Sequence, residues 1–167
     1  KILIIRNHMQ WKNKFIYPKS IRSILKGSRH YSVNEENLPS VTTILKATET
    51  EEKKAKLAEW KNRIGHKQAE IISREATSRG SSMHDYLEKF LLGKLNMDLL
   101  GDNTLEKIMA DQIIENGLRN KLSEIWGCEA TLYYPGKYAG AADCIGIYEN
   151  KETIIDFKQS NKPKKDE

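Results

Sequence analysis

Apolar positions in the first fifty residues fall in short clusters separated by turn formers. "FIYP" (15–18) and "RHYSV" (29–33) read as strand material, and "NEENLPS" as a proline-bearing turn. "SVTTIL" (40–45) opens a short helix with Ser40, Thr42 or Thr43 as its cap. From Glu51 the spacing turns helical. Leu57, Trp60 and Ile64 repeat through 51–65, which stops at Gly65; Ala69, Ile72 and Ala76 point inward through 66–80, which stops at Gly80. Met83, Leu87, Phe90 and Leu91 form the apolar stripe of a third helix over 81–93, capped by Ser81 or Ser82. "NTLEKIMADQIIENGLRNKLSEIWG" predicts a longer helical stretch over 103–127.

After Gly127 the period becomes two. "CEATLYY" (128–134), "YAGAADCIGIY" (138–148) and "ETIIDFKQS" (152–160) predict three strands joined by "PGK" and "ENK" turns. Connections this short make an antiparallel meander. Helices followed by a meander give an α+β class, a central sheet flanked by helices, within one domain over 1–167. Its expected parts are a strand-and-turn region (1–50), a helical region (51–127) and the sheet (128–160). The chain lacks an initiator Met and closes abruptly in "NKPKKDE", so further elements are expected beyond the third strand.

Composition narrows the class. Hydrophobic residues are 38% and charged residues 31%, as in a globular rather than a disordered chain. No apolar run reaches the ~18–20 residues of a membrane helix, and "KILIIRNHMQ" is too quickly polar for a secretory signal. Cys128 and Cys144 lack zinc-site spacing and cannot alone hold an iron–sulfur cluster, so they read as two reduced, buried thiols. The net charge of +5 is compatible with a nucleic-acid partner without requiring one. There is no GxxxxGK[ST] loop, hence no built-in motor.

The candidate chemistry begins with "IIDFKQS" (154–160), a strand-like run that carries an acid and a base two residues apart. If the preceding loop is centred between Glu149 and Asn150, Asp143 faces Asp156, Ile145 faces Ile154, and Ala141 faces Lys158. Alternation then places Asp143, Asp156 and Lys158 on one face, and Cys144, Tyr148, Ile155 and Phe157 on the core face. Two carboxylates so close repel unless a cation lies between them. Mg²⁺ suits such a pair and polarises phosphoryl oxygens; Lys158 would stabilise the developing charge. The alternative is a cross-strand salt-bridge cluster on a solvated face. Glu129 shares the parity of Thr131 and Tyr133, either an exposed strand glutamate or a further acid of the same face. His84 follows Gly80 by four residues, either a partly buried structural histidine or a ring that substrate approaches where Gly80 lacks a side chain.

"GAAD", twelve residues and then "DFK" resembles the D…(D/E)xK core of the PD-(D/E)xK nuclease superfamily, and "RGSSMHDYLE" resembles the histidine motif of its RecB-like exonuclease branch. "LPSVTTIL", "AEWKNRIG" and "IIDFKQSNKPK" extend the likeness to the group of the mitochondrial genome maintenance exonuclease and its phage relatives, from about Leu38 to the chain end. The resemblance implies a restriction-endonuclease-like core. It implies Asp143 and Asp156 as metal-binding acids, Lys158 as the catalytic lysine and His84 beside the metal, with Glu129 as a further ligand. Ser40 and Thr42 match a hydroxyl-rich helix start that receives a DNA phosphate. Gln159 stands where relatives often have Thr, and the further strand and the helix carrying Gln and Tyr four apart are missing.

The reading is a Mg²⁺- or Mn²⁺-dependent deoxyribonuclease, an exonuclease acting on single-stranded DNA ends. Arg79, Gln159 and Lys162 in the "KPKK" tail join Ser40 and Thr42 as DNA contacts. A catalytically silent nucleic-acid-binding module and a structure-specific endonuclease are the alternatives. A phage origin places the protein in bacterial cytoplasm, a eukaryotic one in mitochondria. The discriminating geometry is convergence of the Asp143 and Asp156 carboxyls to within ~4–5 Å, the reach of a shared Mg²⁺.

Overall fold

Three two-residue turns set the hairpins of this chain. At Lys26–Gly27, Asn34–Glu35 and Glu149–Asn150 both residues have positive φ, the type I′ geometry whose twist matches paired strands. The computed structural model describes residues 9–94 and 104–160. Its strands are β1 (Gln10–Trp11), β2 (Ser20–Leu25), β3 (Ser28–Val33), β4 (Glu36–Pro39), β5 (Leu122–Tyr134), β6 (Tyr138–Tyr148) and β7 (Lys151–Ile155). Its helices are α1 (Val41–Ala47), α2 (Glu51–Ile64), α3 (His66–Leu91) and α4 (Leu105–Gln112), the last continued by a π-helical turn, Ile113–Leu118. The class is mixed α+β with antiparallel pairing predominant, compatible with a restriction-endonuclease-like core. No helix among the described residues is long and apolar enough to cross a membrane.

The chain divides into two compact units. The first comprises Lys1–Phe15, Thr77–Glu129 and Asp143–Glu167. Its core packs Met83, Leu87 and Leu91 of α3 with Ile114, Leu118, Leu122, Ile125, Cys144 and Phe157. The four-stranded sheet runs β1-β5-β6-β7, with β1 parallel to β5. β6 and β7 pair antiparallel with Ile145 opposite Ile154 and Cys144 opposite Ile155, the register expected from a loop centred on Glu149 and Asn150. Trp11 Nε1 donates to the Leu91 carbonyl at 2.9 Å, and Lys12 pairs with Glu124. Lys14 lies 3.6 Å from the centre of the Trp126 ring. Gly146 is held by close approach: a Cβ there would lie 1.9 Å from the Glu124 carbonyl oxygen. Both cysteines are unbridged thiols. Cys144 is fully buried and Cys128 packs against the same core, and burial pushes both thiol pKa values up to about 12.

The second unit comprises Ile16–Ala76 and Ala130–Ala142. The sheet β2-β3-β4 is antiparallel throughout, and Tyr31, Val33, Leu38 and Ala139 form its small core. Ser40 caps α1 by accepting from the Thr43 N–H at 3.0 Å. α2 begins at a Thr50 cap and ends at Gly65, whose φ of 88° only glycine adopts readily. Nothing in α2 is buried, so its Leu57–Trp60–Ile64 spacing marks a half-exposed face rather than a core.

Five expectations are corrected. "FIYP" forms no strand; Pro18 has no N–H to give a ladder. The third strand stops at Ile155, leaving Asp156–Ser160 irregular. α3 runs unbroken through Gly80, so neither Ser81 nor Ser82 is a cap, and one long apolar stripe carries the helix past the glycine. The stretch 103–127 is helical only to Leu118: Asn120 takes a left-handed φ of 64°, and β5 starts at Leu122. There Leu122 and Ile125 are buried as strand rather than helix residues. "ENLP" and "SIRSIL" are strands that alternation did not reveal. β2 exposes Ile21, Ile24 and Leu25, which blurs the two-residue period.

Candidate functional site

The site is built in the first unit from α3, β5, β6 and the segment after β7. Helical spacing sets His84 on the face of α3 that carries Met83, Leu87 and Leu91 toward the core, at its border. Its side chain is 29% exposed. β6 supplies Asp143, 12% exposed, whose Oδ1 stands 3.6 Å from His84 Nδ1. The Phe157 N–H donates to Asp143 Oδ2 at 2.6 Å. The Phe157 ring, buried, meets the His84 ring edge-on, with centroids 6.2 Å apart and planes at 80°. One residue therefore braces both partners, the carboxylate through its amide and the imidazole through its ring.

Glu129 enters from β5. It takes a left-handed φ of 49° in mid-strand, the kind of kink that breaks strict alternation and re-aims a side chain. Ligand atoms of His84, Glu129 and Asp143 all lie within 4.8 Å of one another. Two oxygens bound to one Mg²⁺ stand at most about 4.2 Å apart, so small side-chain rotations bring this trio onto a shared cation. An imidazole nitrogen with two carboxylates suits Mg²⁺ or Mn²⁺.

The electrostatics agree with close pairing. The Asp143 carboxylate raises the pKa of His84 above its ordinary 6.5, against the opposing effects of burial and of the Lys158 charge. Burial alone would push Asp143 up. His84, the Phe157 N–H and the charge of Lys158 outweigh that and hold the carboxyl below its usual range.

Asp156 stands apart from the trio. It is exposed, and its Oδ1 accepts from Lys158 Nζ at 2.7 Å. The predicted face therefore divides into a His84–Glu129–Asp143 group and an Asp156–Lys158 pair. Arg79 precedes Gly80 on α3, and Gln159 follows Lys158; Arg79 Nε and Gln159 Oε1 are buried without a hydrogen-bond partner among the described residues. Ser40 and Thr42 belong to the second unit. Ser40 is buried, and its Oγ lies 2.8 Å from Thr42 Oγ1 and 3.0 Å from Thr43 Oγ1. Lys162 lies outside the described residues. Sequence reasoning missed the part of Phe157, which alternation marks only as core. The left-handed backbone of Glu129 has no sequence signal, because glutamate is not a residue that favours it.

No protein-family model matches the chain. It is 28% identical over 132 residues to the human protein named mitochondrial genome maintenance exonuclease 1, and 32% identical over 133 residues to its mouse counterpart. The frog Xenopus tropicalis protein of that name is 30% identical over 135 residues. These matches take in 76–77% of this chain and 37–38% of the relatives. The chain thus spans less than two-fifths of the length of the curated relatives it matches. Distant similarity to proteins named as exonucleases, together with a His–Glu–Asp group, points to a nuclease family.

Proposed function

We propose that the chain forms the metal-binding part of a PD-(D/E)xK deoxyribonuclease, an exonuclease that acts on single-stranded DNA ends with Mg²⁺ or Mn²⁺. The observation that carries the reading is the convergence of His84, Glu129 and Asp143 within 4.8 Å. In this reading His84 gives an imidazole nitrogen and Glu129 and Asp143 give carboxylate oxygens to the cation. When bound, the cation supplies Lewis-acid polarisation of a phosphoryl oxygen and lowers the pKa of water. Phe157 keeps Asp143 and His84 in place. Lys158 stabilises negative charge growing on the phosphate. Asp156 holds that ammonium through the 2.7 Å contact and remains a candidate further acid of the metal group. Arg79, Gln159 and Lys162 are proposed DNA contacts, and Ser40 and Thr42 are proposed phosphate contacts of the second unit.

The test is release of nucleotides from linear single-stranded DNA by the full-length gene product with Mn²⁺. Loss in EDTA and a fall of about 10²–10³ in kcat for Lys158→Ala are expected. Activity that survives both treatments refutes the assignment, and cutting of covalently closed circular DNA replaces the exonuclease with an endonuclease. A second reading, a silent DNA-binding module, draws support from the pairing of Asp156 with Lys158 away from the trio. DNA affinity without any Mn²⁺ site by calorimetry would select it.

A further inference from the structure

Gly80 lies inside the 26-residue α3, where glycine is the least favourable residue other than proline. Packing does not demand it. A Cβ built there meets nothing closer than Gln159 Oε1, at 3.8 Å. That is ordinary van der Waals contact, so alanine would fit. Two solvent-shielded polar atoms beside it lack hydrogen-bond partners among the described residues: Gln159 Oε1 itself and, on the adjacent residue, Arg79 Nε. Buried donors and acceptors left unpaired are costly and rare.

Position gives this patch a meaning. His84 follows Gly80 by four residues, on the same helix face and about 6 Å along the axis. Gln159 ends the run that carries Phe157 and Lys158. The bare backbone and the amide therefore adjoin the metal trio at roughly the spacing of one nucleotide. A phosphate only accepts hydrogen bonds, whereas the edge of a nucleobase donates and accepts, as an amide does.

We propose that Gly80 and Gln159 form a nucleotide subsite in which the base next to the attacked phosphate lies over the Gly80 backbone with its edge on the Gln159 amide. The subsite rests on the nuclease reading and adds to it a contact to the base. Gly80 is absent a side chain because the ligand occupies that space.

Fluorescence anisotropy of the full chain in EDTA, with oligothymidylate as probe and no turnover, tests this. Gly80→Ala is expected to weaken binding about three- to tenfold while raising Tm by a few degrees and leaving Mn²⁺ affinity by calorimetry unchanged. Gln159→Leu is expected to weaken binding similarly, and the double variant by less than the product of the two. On an abasic strand of the same length neither variant changes affinity. Wild-type affinity in both variants overturns the subsite, and an equal loss on the abasic strand overturns the base contact. Wild-type protein that binds neither the strand nor Mn²⁺ refutes the nuclease reading and the subsite with it, a result distinct from any variant-specific one.

Discussion

Gly146→Ala is the sharpest perturbation the sheet offers. The added methyl would sit 1.9 Å from the Glu124 carbonyl oxygen and 3.3 Å from the Ile125 Cα, backbone atoms that no rotamer change can move. Carbon and oxygen tolerate no approach much under 3 Å, so β5 and β6 must part locally by about 1 Å. Ladder hydrogen bonds of about 2.9 Å stretched by that amount pass beyond bonding distance. Losing two of them costs about 1 kcal/mol each, and the buried groups left unpaired add about 1–3 kcal/mol. The sum is about 3–5 kcal/mol, a large share of the ~5–15 kcal/mol that holds a domain together. At roughly 2–4 °C per kcal/mol for a chain of this size, Tm falls by about 6–20 °C. Because β5 carries Glu129 and β6 carries Asp143, Mn²⁺ affinity measured by calorimetry below the transition falls as well. The assay is thermal unfolding by circular dichroism beside Gly80→Ala, where the same methyl meets only ordinary van der Waals contact, at 3.8 Å. A Gly146→Ala Tm within 2 °C of wild type refutes the steric reasoning.

Three further outcomes are expected. Asp143→Asn abolishes Mn²⁺ binding by calorimetry, whereas Asp156→Asn weakens it by no more than about 10–100-fold, the range of a supporting group; equal losses make Asp156 a ligand of the same standing. Glu129→Gly relieves the left-handed strain at φ 49° and so raises stability by up to about 1 kcal/mol in urea melts, yet loses Mn²⁺ affinity; a destabilised variant contradicts the strain. In metal-free protein His84 binds its proton more tightly folded than unfolded. Its stabilisation is thus complete below pH 6.5 and is lost as pH rises through the raised value, while that of Asp143 is lost as pH falls through its lowered value. Urea melts of wild type and His84→Asn, compared from pH 5 to pH 9, check the sign: the difference between them shrinks as pH rises.

Much of the sheet was legible because its information is local. Glu149–Asn150 dictates a two-residue turn, and once that turn is placed the Ile145–Ile154 register follows by counting. The stripe of Met83, Leu87 and Leu91 was legible for the same reason. Gly80 misled because helix stops are a matter of competition: a long apolar face outweighs one unfavourable residue. At Leu122 and Ile125 apolar spacing fits helix and strand alike, and the left-handed Asn120 decides between them. At the site, Asp143 and His84 could be picked out by chemistry and spacing. Glu129, picked out by parity and the resemblance, joins the close group from a left-handed backbone in mid-strand, whereas Asp156 lies past the end of β7 at Ile155.

The two thiols bear on which ions the protein can hold. Cys128 and Cys144 are chain neighbours of Glu129 and Asp143, so the soft donors lie one residue from the hard ones. Both thiols pack into or against the core, and burial pushes both pKa values up to about 12, so they stay protonated at neutral pH. In the proposed metal site the trio offers a cation imidazole and carboxylate groups. Thiophilic ions such as Cd²⁺ or Zn²⁺ find no sulfur to anchor them, although two sulfur atoms are within a residue of the ligands. In the proposed metal site, a preference for hard cations follows from which way the strands face.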